Sequence, residues 1–467
     1  MISKTSLFKK KFALSLVCTS TLATSVFLIG CGGSQPQHSK DLGVNAKYCD
    51  NSYFDDFKKK IENDDDTIFN GINAGTTARF CKKYELSNEF LNAAKNKYEE
   101  LSSRSVASIV ADKMKQLVGG QSFSNYEGSL YEAIMIDTMI GQNYLDLGND
   151  EEARVSFNQA SLLQDKARDV FKKQIETSKG LLEKAKEKIP GIESQVNGAL
   201  EQVNQAYDDN QDPNAIEYQA NKDFVNPYTT YMLAMNRFLT NDYNRARDYL
   251  KELVRTYPKS KEFKKQLQYF ETGMRGSKKI FVVYEDGRGA TKESMGVAIP
   301  FSINGVATQP TIGFPVLKYN QSSYENVSVN DQKLEMVSNF DSVISAEFNN
   351  NKHSIIVTNI VSSALKSVLT GQAAEKASSL GGGLGGTLFG KASSALGADE
   401  VAIDTRSWDT LPKKAYAVMM DNNGLVELKD ANGKIITKEE VDSNKNTLVI
   451  VRSLNQNQPA ITITTQR

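Results

Sequence analysis

The chain of 467 residues is long enough for two to four domains of ordinary size and for a substantial buried core. Its 40% hydrophobic and 24% charged residues exclude wholesale disorder, and 56 basic against 56 acidic residues leave no positive excess of the kind that tracks a nucleic-acid backbone. The two histidines, His38 and His353, argue against histidine-rich metal sites and against catalysis built on an imidazole base.

Residues 1–30 place Lys4, Lys9, Lys10 and Lys11 ahead of an apolar run from Phe12 to Ile29, the layout of a secretory signal peptide. Ser15, Thr19, Ser20, Thr21, Thr24 and Ser25 interrupt that run, whereas a spanning helix needs about 20 apolar residues. Leu28-Ile29-Gly30-Cys31 resembles the lipobox of bacterial lipoproteins, in which the cysteine is lipidated and becomes the first residue after cleavage. The resemblance implies an acyl anchor on Cys31, each buried CH₂ contributing about 0.8 kcal/mol. Gly32, where aspartate would favour inner-membrane retention, points to the outer membrane. An ordinary signal peptide with an incidental cysteine is the alternative. Cleavage removes four lysines and no acid, so the mature chain is mildly acidic and gains no attraction to anionic lipid.

Residues 31–45 are polar and rich in breakers and read as a lipidated, flexible tether with a mean reach of roughly 20 Å. With Cys18 lost in the signal and Cys31 acylated, Cys49 and Cys81 remain. An even pair in an oxidising compartment reads as a disulfide. Two buried thiols are the alternative, and no histidine near Cys81 completes a metal set.

Residues 46–276 carry helical periodicity. Gly141, Tyr144, Gly148, Ala153, Phe157 and Ala160 fall at the spacings of the tetratricopeptide repeat, a 34-residue pair of helices. Small residues let the helices approach, aromatic rings fill the gap, and Gly148-Asn149-Asp150 turns the chain. Ala246, Leu250, Leu253 and Pro258 repeat the second half of the unit after the turn Asn241-Asp242-Tyr243, and Ser87, Leu91 and Ala94 form a weaker copy. Three units are about the minimum for a stacked array, so a short solenoid is expected. Between the better copies, residues 166–210 read as a projecting helical hairpin broken at Pro190-Gly191. Its stripe of Ile192, Val196, Leu200, Val203 and Tyr207 either covers the solenoid or grips a partner.

Residues 277–467 switch to strand patterns. Ile280–Tyr284, Val297–Ile303, Thr311–Tyr319, Lys414–Met420, Leu425–Leu428, Lys434–Thr437, Thr447–Val451 and Ala460–Thr464 are short β-rich runs. They are separated by Glu285-Asp286-Gly287, Asn304-Gly305, Asn422-Asn423-Gly424 and Ala431-Asn432-Gly433. An antiparallel sandwich or compact β domain follows, interrupted at about 341–395 by a helical, glycine-rich insertion. The expected class is α+β: a helical-repeat solenoid, then a β-rich, sandwich-like domain.

Chemical motifs are scarce. Gly385 to Lys391 matches a phosphate-binding loop up to Ala392, where the hydroxyl that would bind Mg²⁺ is missing, so no nucleotide is expected. The glycine cluster suits a flexible loop, close helix approach or membrane insertion. His353, beside Asn350, Asn351 and Lys352, reads as a surface-loop residue. Acids such as Asp64-Asp65-Asp66 and Asp208-Asp209 read as solvated, and the single tryptophan is little aromatic surface for a sugar-cleaving cleft. Strand alternation would set Asp404, Arg406 and Trp408 on one face, pairing an ion pair with an apolar anchor for packing or ligand contact.

The repeat preceded by Tyr126-Glu127-Gly128 and Tyr131-Glu132, the unit after Asn226-Pro227, the Asp404–Pro412 motif and Val451-Arg452-Ser453 together resemble a family of bacterial lipoproteins with tetratricopeptide repeats. The resemblance spans most of the mature chain and implies fold and address without supplying catalytic residues. The expected role is a non-enzymatic, outer-membrane-anchored scaffold facing the periplasm. Its partners would be periplasmic or outer-membrane proteins of a cell-envelope assembly, with no cofactor, nucleic acid or nucleotide. A carboxylate-based cell-wall hydrolase or a direct regulator of peptidoglycan synthesis is the alternative.

Overall fold

The computed structural model describes residues 49–118, 125–209, 226–274, 276–303, 306–380 and 403–467. The signal, Cys31, the tether, the Asn304-Gly305 turn and the glycine-rich run with its near-match to a phosphate loop lie outside these residues. The described chain is α+β, with helices first and then strands interrupted by one long helix.

The helices pair as antiparallel neighbours in chain order. After α1 (Asn51–Glu62) come the pairs α2 (Thr67–Phe80) with α3 (Tyr84–Ser103), α5 (Leu130–Asp146) with α6 (Asp150–Asp165), and α9 (Pro227–Leu239) with α10 (Tyr243–Thr256); α11 (Lys261–Glu271) packs on α10. Caps fix the helix starts. Ser129 and Glu132 form a capping box at α5, and the side chains of Asn149, Asn226, Asp242 and Ser260 each accept a first-turn amide of α6, α9, α10 and α11. The first helix of each pair is buried nearly all round: Thr67–Arg79 in α2, Leu130–Asn143 in α5 and all of α9. A helix with one free face shows one apolar stripe, so these three must be covered on both sides.

The covering layer is a five-stranded sheet in the order β13-β12-β1-β9-β8. Its strands are β1 (Lys279–Asp286), β8 (Glu335–Asn339), β9 (Lys414–Asp421), β12 (Thr447–Ser453) and β13 (Ile461–Gln466). Side chains alternate across it. Phe281, Val283, Ala415, Ala417, Met419, Leu448 and Ile450 join one core with α2, α3, α5, α6, α9, α10 and α11. Ile280, Val282, Tyr284, Val418, Met420, Val449 and Val451 face the other way. There they meet Val329, Val426 and Leu428 from a second sheet, ordered β11-β10-β6-β7 and built from β6 (Ser328–Val329), β7 (Gln332–Lys333), β10 (Leu425–Lys429) and β11 (Ile435–Glu440). Gly424 and Gly433, at φ +85° and +81°, make the turns that bring these strands round.

Three expectations are corrected here. The central sheet is mixed, because β1 and β12 run parallel while its other neighbours run antiparallel. Alternation records which face a side chain occupies and carries no record of strand direction. The helices at 166–210 do not project as a free hairpin. They are α7 (Ala167–Lys186) and α8 (Ile192–Asp209), and they bury Leu181, Ala185, Ile192, Val196, Val203 and Tyr207 in a separate core. That core also holds α4 (Val106–Val118), α12 (Phe340–Leu380) and the ribbon of β2 (Thr291–Ala298) with β5 (Thr311–Lys318), while β3 (Phe301–Ile303) and β4 (Val306–Thr308) form a small ribbon of their own. The apolar stripe is matched by Ile356, Val357, Ile360 and Val361 of α12 and by Met295, Ile312 and Phe314 of the ribbon. His353 lies on α12, exposed on a helix rather than in a loop.

Cys49 and Cys81 are joined by a disulfide with Cα atoms 5.5 Å apart. The bridge pins α1 to the end of α2, over a small core of Phe54, Phe57, Ala74, Ala78 and Phe90. By the loop-closure estimate a bridge across this separation contributes roughly 3–4 kcal/mol. Alkylation of denatured protein should leave both thiols unlabelled until a reductant is added, and C49S/C81S should unfold at lower denaturant with roughly that loss. Free labelling of both without reductant would contradict the bridge.

Candidate functional site

The residues singled out for the repeat sit where the helices pair. Gly141 on α5 faces Phe157 on α6 so closely that a Cβ there would lie 2.8 Å from the ring, and only glycine fits. Ala153, Phe157 and Ala160 are fully buried, and Tyr144 packs beside them half-buried. Ala246, Leu250 and Leu253 hold α10 against its neighbours in the same core. The weakest copy has the tightest contact, because a Cβ on Gly75 of α2 would meet Leu91 of α3 at 2.6 Å, and Ser87 Oγ donates to the Gly75 carbonyl at 2.7 Å.

Asp404, Arg406 and Trp408 come together without a strand. The segment is irregular, and Asp404 Oδ1 accepts from the Arg406 backbone N–H at 3.0 Å and from its Nε at 2.9 Å. Expecting a strand here was wrong because the aspartate turns the chain locally and so competes with extended pairing. Arg406 Nη1 also donates to Asp66 ahead of α2. Trp408 is buried between α2 and α5; its indole Nε1 donates to Thr76 Oγ1 at 2.8 Å and its backbone N–H to Glu132 Oε1 at 2.8 Å.

Glu132 gathers the site. Its other oxygen accepts from the Tyr126 hydroxyl at 2.6 Å and from the Ser129 N–H at 2.8 Å. One turn away, Glu347 of α12 accepts from the first amides of α5, Leu130 N at 2.7 Å and Tyr131 N at 2.8 Å, supplying partners to donors that a helix start leaves unpaired. Burial pushes the Glu347 carboxyl up to about 7, with the two amides opposing and the Glu132 charge reinforcing the rise. Burial and Glu132 also raise the phenols of Tyr126 and Tyr131.

Further ties run along the same face. Arg79 bonds Asn143 and, at 2.9 Å, Asp146, while Asn143 Nδ2 reaches Ser87 Oγ and Asn88 Oδ1 at 2.8 and 2.7 Å. Arg467 Nη2 donates to the Leu145 carbonyl at 2.7 Å, and Tyr228 bonds Glu285 of β1. Arg452 Nη2 donates to the Thr410 carbonyl at 2.9 Å, with Nη1 on Ser453 O at 2.8 Å. A cavity of about 20 Å³ beside Arg79, Gln142, Tyr228, Glu285 and Arg452 has room for one water. The face made by α2, α5 and α9 is therefore filled by the chain's own sheet and by the Trp408 segment.

Sequence reasoning missed Glu132 and Glu347. The capping-box spacing Ser129-x-x-Glu132 is a readable signal for the first; for the second no local signal exists, because its partners lie more than 200 positions away. Among the described residues, no group of three or more histidines, cysteines and acids is placed to hold a metal ion, and no helix is long and apolar enough to cross a membrane.

Residues 228–260 match a family model for the tetratricopeptide repeat. The match covers α9, α10 and the turn into α11. No curated protein and no solved structure matches the chain.

Two measurements follow from this geometry. Phe157→Ala should lower stability by about 3–5 kcal/mol in chemical denaturation, and a change below about 1 kcal/mol would contradict its place in the core. Burial raises the Glu347 carboxyl from 4.5 to about 7, and it raises that of Asp137 on α5 from 3.8 to about 6 against the opposing pull of Lys95 at 2.7 Å, so the folded state holds extra protons in that window. Stability from these groups is full at low pH and is lost as pH rises through the raised values. The melting temperature should fall between about pH 4 and pH 7 on this account, from the unfolded carboxyl values to the raised ones, and Glu347→Gln should flatten that fall.

Proposed function

We propose that the protein is a lipid-anchored interaction scaffold on the periplasmic side of the bacterial outer membrane, joined through Cys31 and serving a cell-envelope assembly. The observation that carries the reading is the tetratricopeptide repeat at 228–260, a module that generally mediates protein–protein contact. The Cys49–Cys81 bridge supports an oxidising compartment. The Leu28-Ile29-Gly30-Cys31 sequence behind a basic, then apolar, segment supports the anchor. With α2, α5 and α9 occupied from within, the partners of this scaffold meet its outer surfaces. The repeat helices serve first as the bed on which the strand-rich half is mounted. The role needs no catalytic group.

Cys31→Ser is the direct test of the anchor. The variant should leave the membrane fraction, uncleaved or released, while keeping its disulfide. In-cell crosslinking of the wild type followed by mass spectrometry should capture envelope proteins, and Cys31→Ser should lose them. Normal processing and outer-membrane fractionation of the variant would overturn the anchor, and an absence of envelope proteins among the crosslinks would overturn the scaffold.

A further inference from the structure

At the end of the sheet where β9 starts, beside α12, a groove of about 660 Å³ opens between the 319–325 segment, the start of β9, the β10–β11 turn and Gln456. That volume falls in the range of small-ligand clefts. The floor is rigid. Asp286 Oδ1, fully buried, accepts from the Ser323 and Tyr324 amides at 2.8 and 3.0 Å, and the hydroxyls of Ser323 and Ser453 bond at 2.6 Å. Asn320 Nδ2 donates to the Gly289 carbonyl at 2.7 Å, Lys413 pairs with buried Asp341, and the Asp430 carboxylate holds its own turn through the Asn432 and Lys434 amides at 2.9 Å. An irregular segment fixed this firmly is a poor candidate for a simple connector.

The groups above this floor are different. The side chains of Gln321, Tyr324, Glu325, Lys414, Asn432 and Gln456 line the groove, and each polar tip lacks a hydrogen-bond or ion-pair partner among the described residues. Three carboxamides can donate and accept at once. Tyr324, whose ring packs against the core between the two sheets, adds a hydroxyl that can donate and accept. Lys414 is offset by Glu325, so the groove has no net pull on a polyanion. Ala431 is the one aliphatic side chain in the lining, leaving no pocket for the apolar anchor of a protein hot spot. Unpaired carboxamides, a phenol and balanced charge complement a ligand with many hydroxyls and amides and little exposed hydrocarbon.

We propose that this groove binds a glycan chain bearing acetamido groups, with Gln321, Asn432 and Gln456 pairing to its amides and hydroxyls and the Tyr324 hydroxyl adding a further hydrogen bond. The site binds and does not cleave. It stands apart from the anchor and scaffold readings, because titration of the groove and fractionation of Cys31→Ser can fail separately.

The test is calorimetric titration of the full chain in detergent with a trisaccharide of N-acetylglucosamine, and with maltotriose as the amide-free comparison. The acetylated trisaccharide should bind at least tenfold more tightly than maltotriose. Q321A/N432A/Q456A should weaken it at least tenfold with an unchanged melting temperature, because Gln321, Asn432 and Gln456 are exposed. Tyr324→Phe should weaken it severalfold while keeping the ring. No binding of the acetylated sugar into the millimolar range, equal binding of both sugars, or wild-type affinity in the triple variant would each overturn the proposal.

Discussion

A buried tryptophan must find an acceptor for its indole N–H, and here the acceptor is supplied by a helix some 330 positions earlier in the chain. Trp408 reaches Thr76 on α2 through its ring and Glu132 at the start of α5 through its backbone. The same carboxylate takes the Tyr126 hydroxyl and caps its own helix, while Glu347 takes the next amides of α5. Removing Glu132 or Glu347 leaves two or more buried donors unpaired at once, each costing about 1–3 kcal/mol. The joint therefore seats the strand-rich half, α12 and the helix pairs on one another through a shared polar cluster inside a shared apolar core.

That seating reshapes the reading of the repeat. Helices α2, α5 and α9 are buried on both sides because β1, β9 and β12 present Phe281, Val283, Ala417, Leu448 and Ile450 to them. A surface open to a partner on that face would show exposed positions along α9, whereas Pro227–Leu239 is buried throughout, its polar Thr229, Thr230, Asn236 and Arg237 included. The far face of the sheet is also covered, by a smaller sheet. The sheet is thus an internal wall between the helix pairs and the smaller sheet, and the groove opens at its end beside α12.

Much of this was legible in the residues. Gly141, Ala153 and Phe157 announce a close helix pair because only small residues allow the approach and only a ring fills the space left. β1 and β12 read as strands because runs such as Ile280–Tyr284 are apolar on both faces and short. Cys49 and Cys81 read as a pair from their number and compartment. Other features carry no local signature. The parallel pairing of β1 with β12 depends on where the chain goes between them, and β2 begins with the polar, partly exposed run Thr291-Lys292-Glu293-Ser294, which is a strand because it pairs with β5. The stripe on α7 and α8 shows that a surface is covered but not by what; α12 and the β2–β5 ribbon decide it. The Asp404–Trp408 segment alternates like a strand, yet the aspartate's bonds to Arg406 replace the strand, and Trp408 bonds instead to Thr76 and Glu132.

The claim that the helix pairs and the sheet form one body through the Trp408 joint is tested most directly by hydrogen exchange on the full chain, wild type against Trp408→Ala. The account predicts that amides of α2, α5 and α9 and those of β1 and β12 exchange together in the slowest class, and that the substitution speeds both sets by a similar factor. If the helices keep their wild-type protection while β1 and β12 exchange faster, the two halves open independently and the joint does not hold them together.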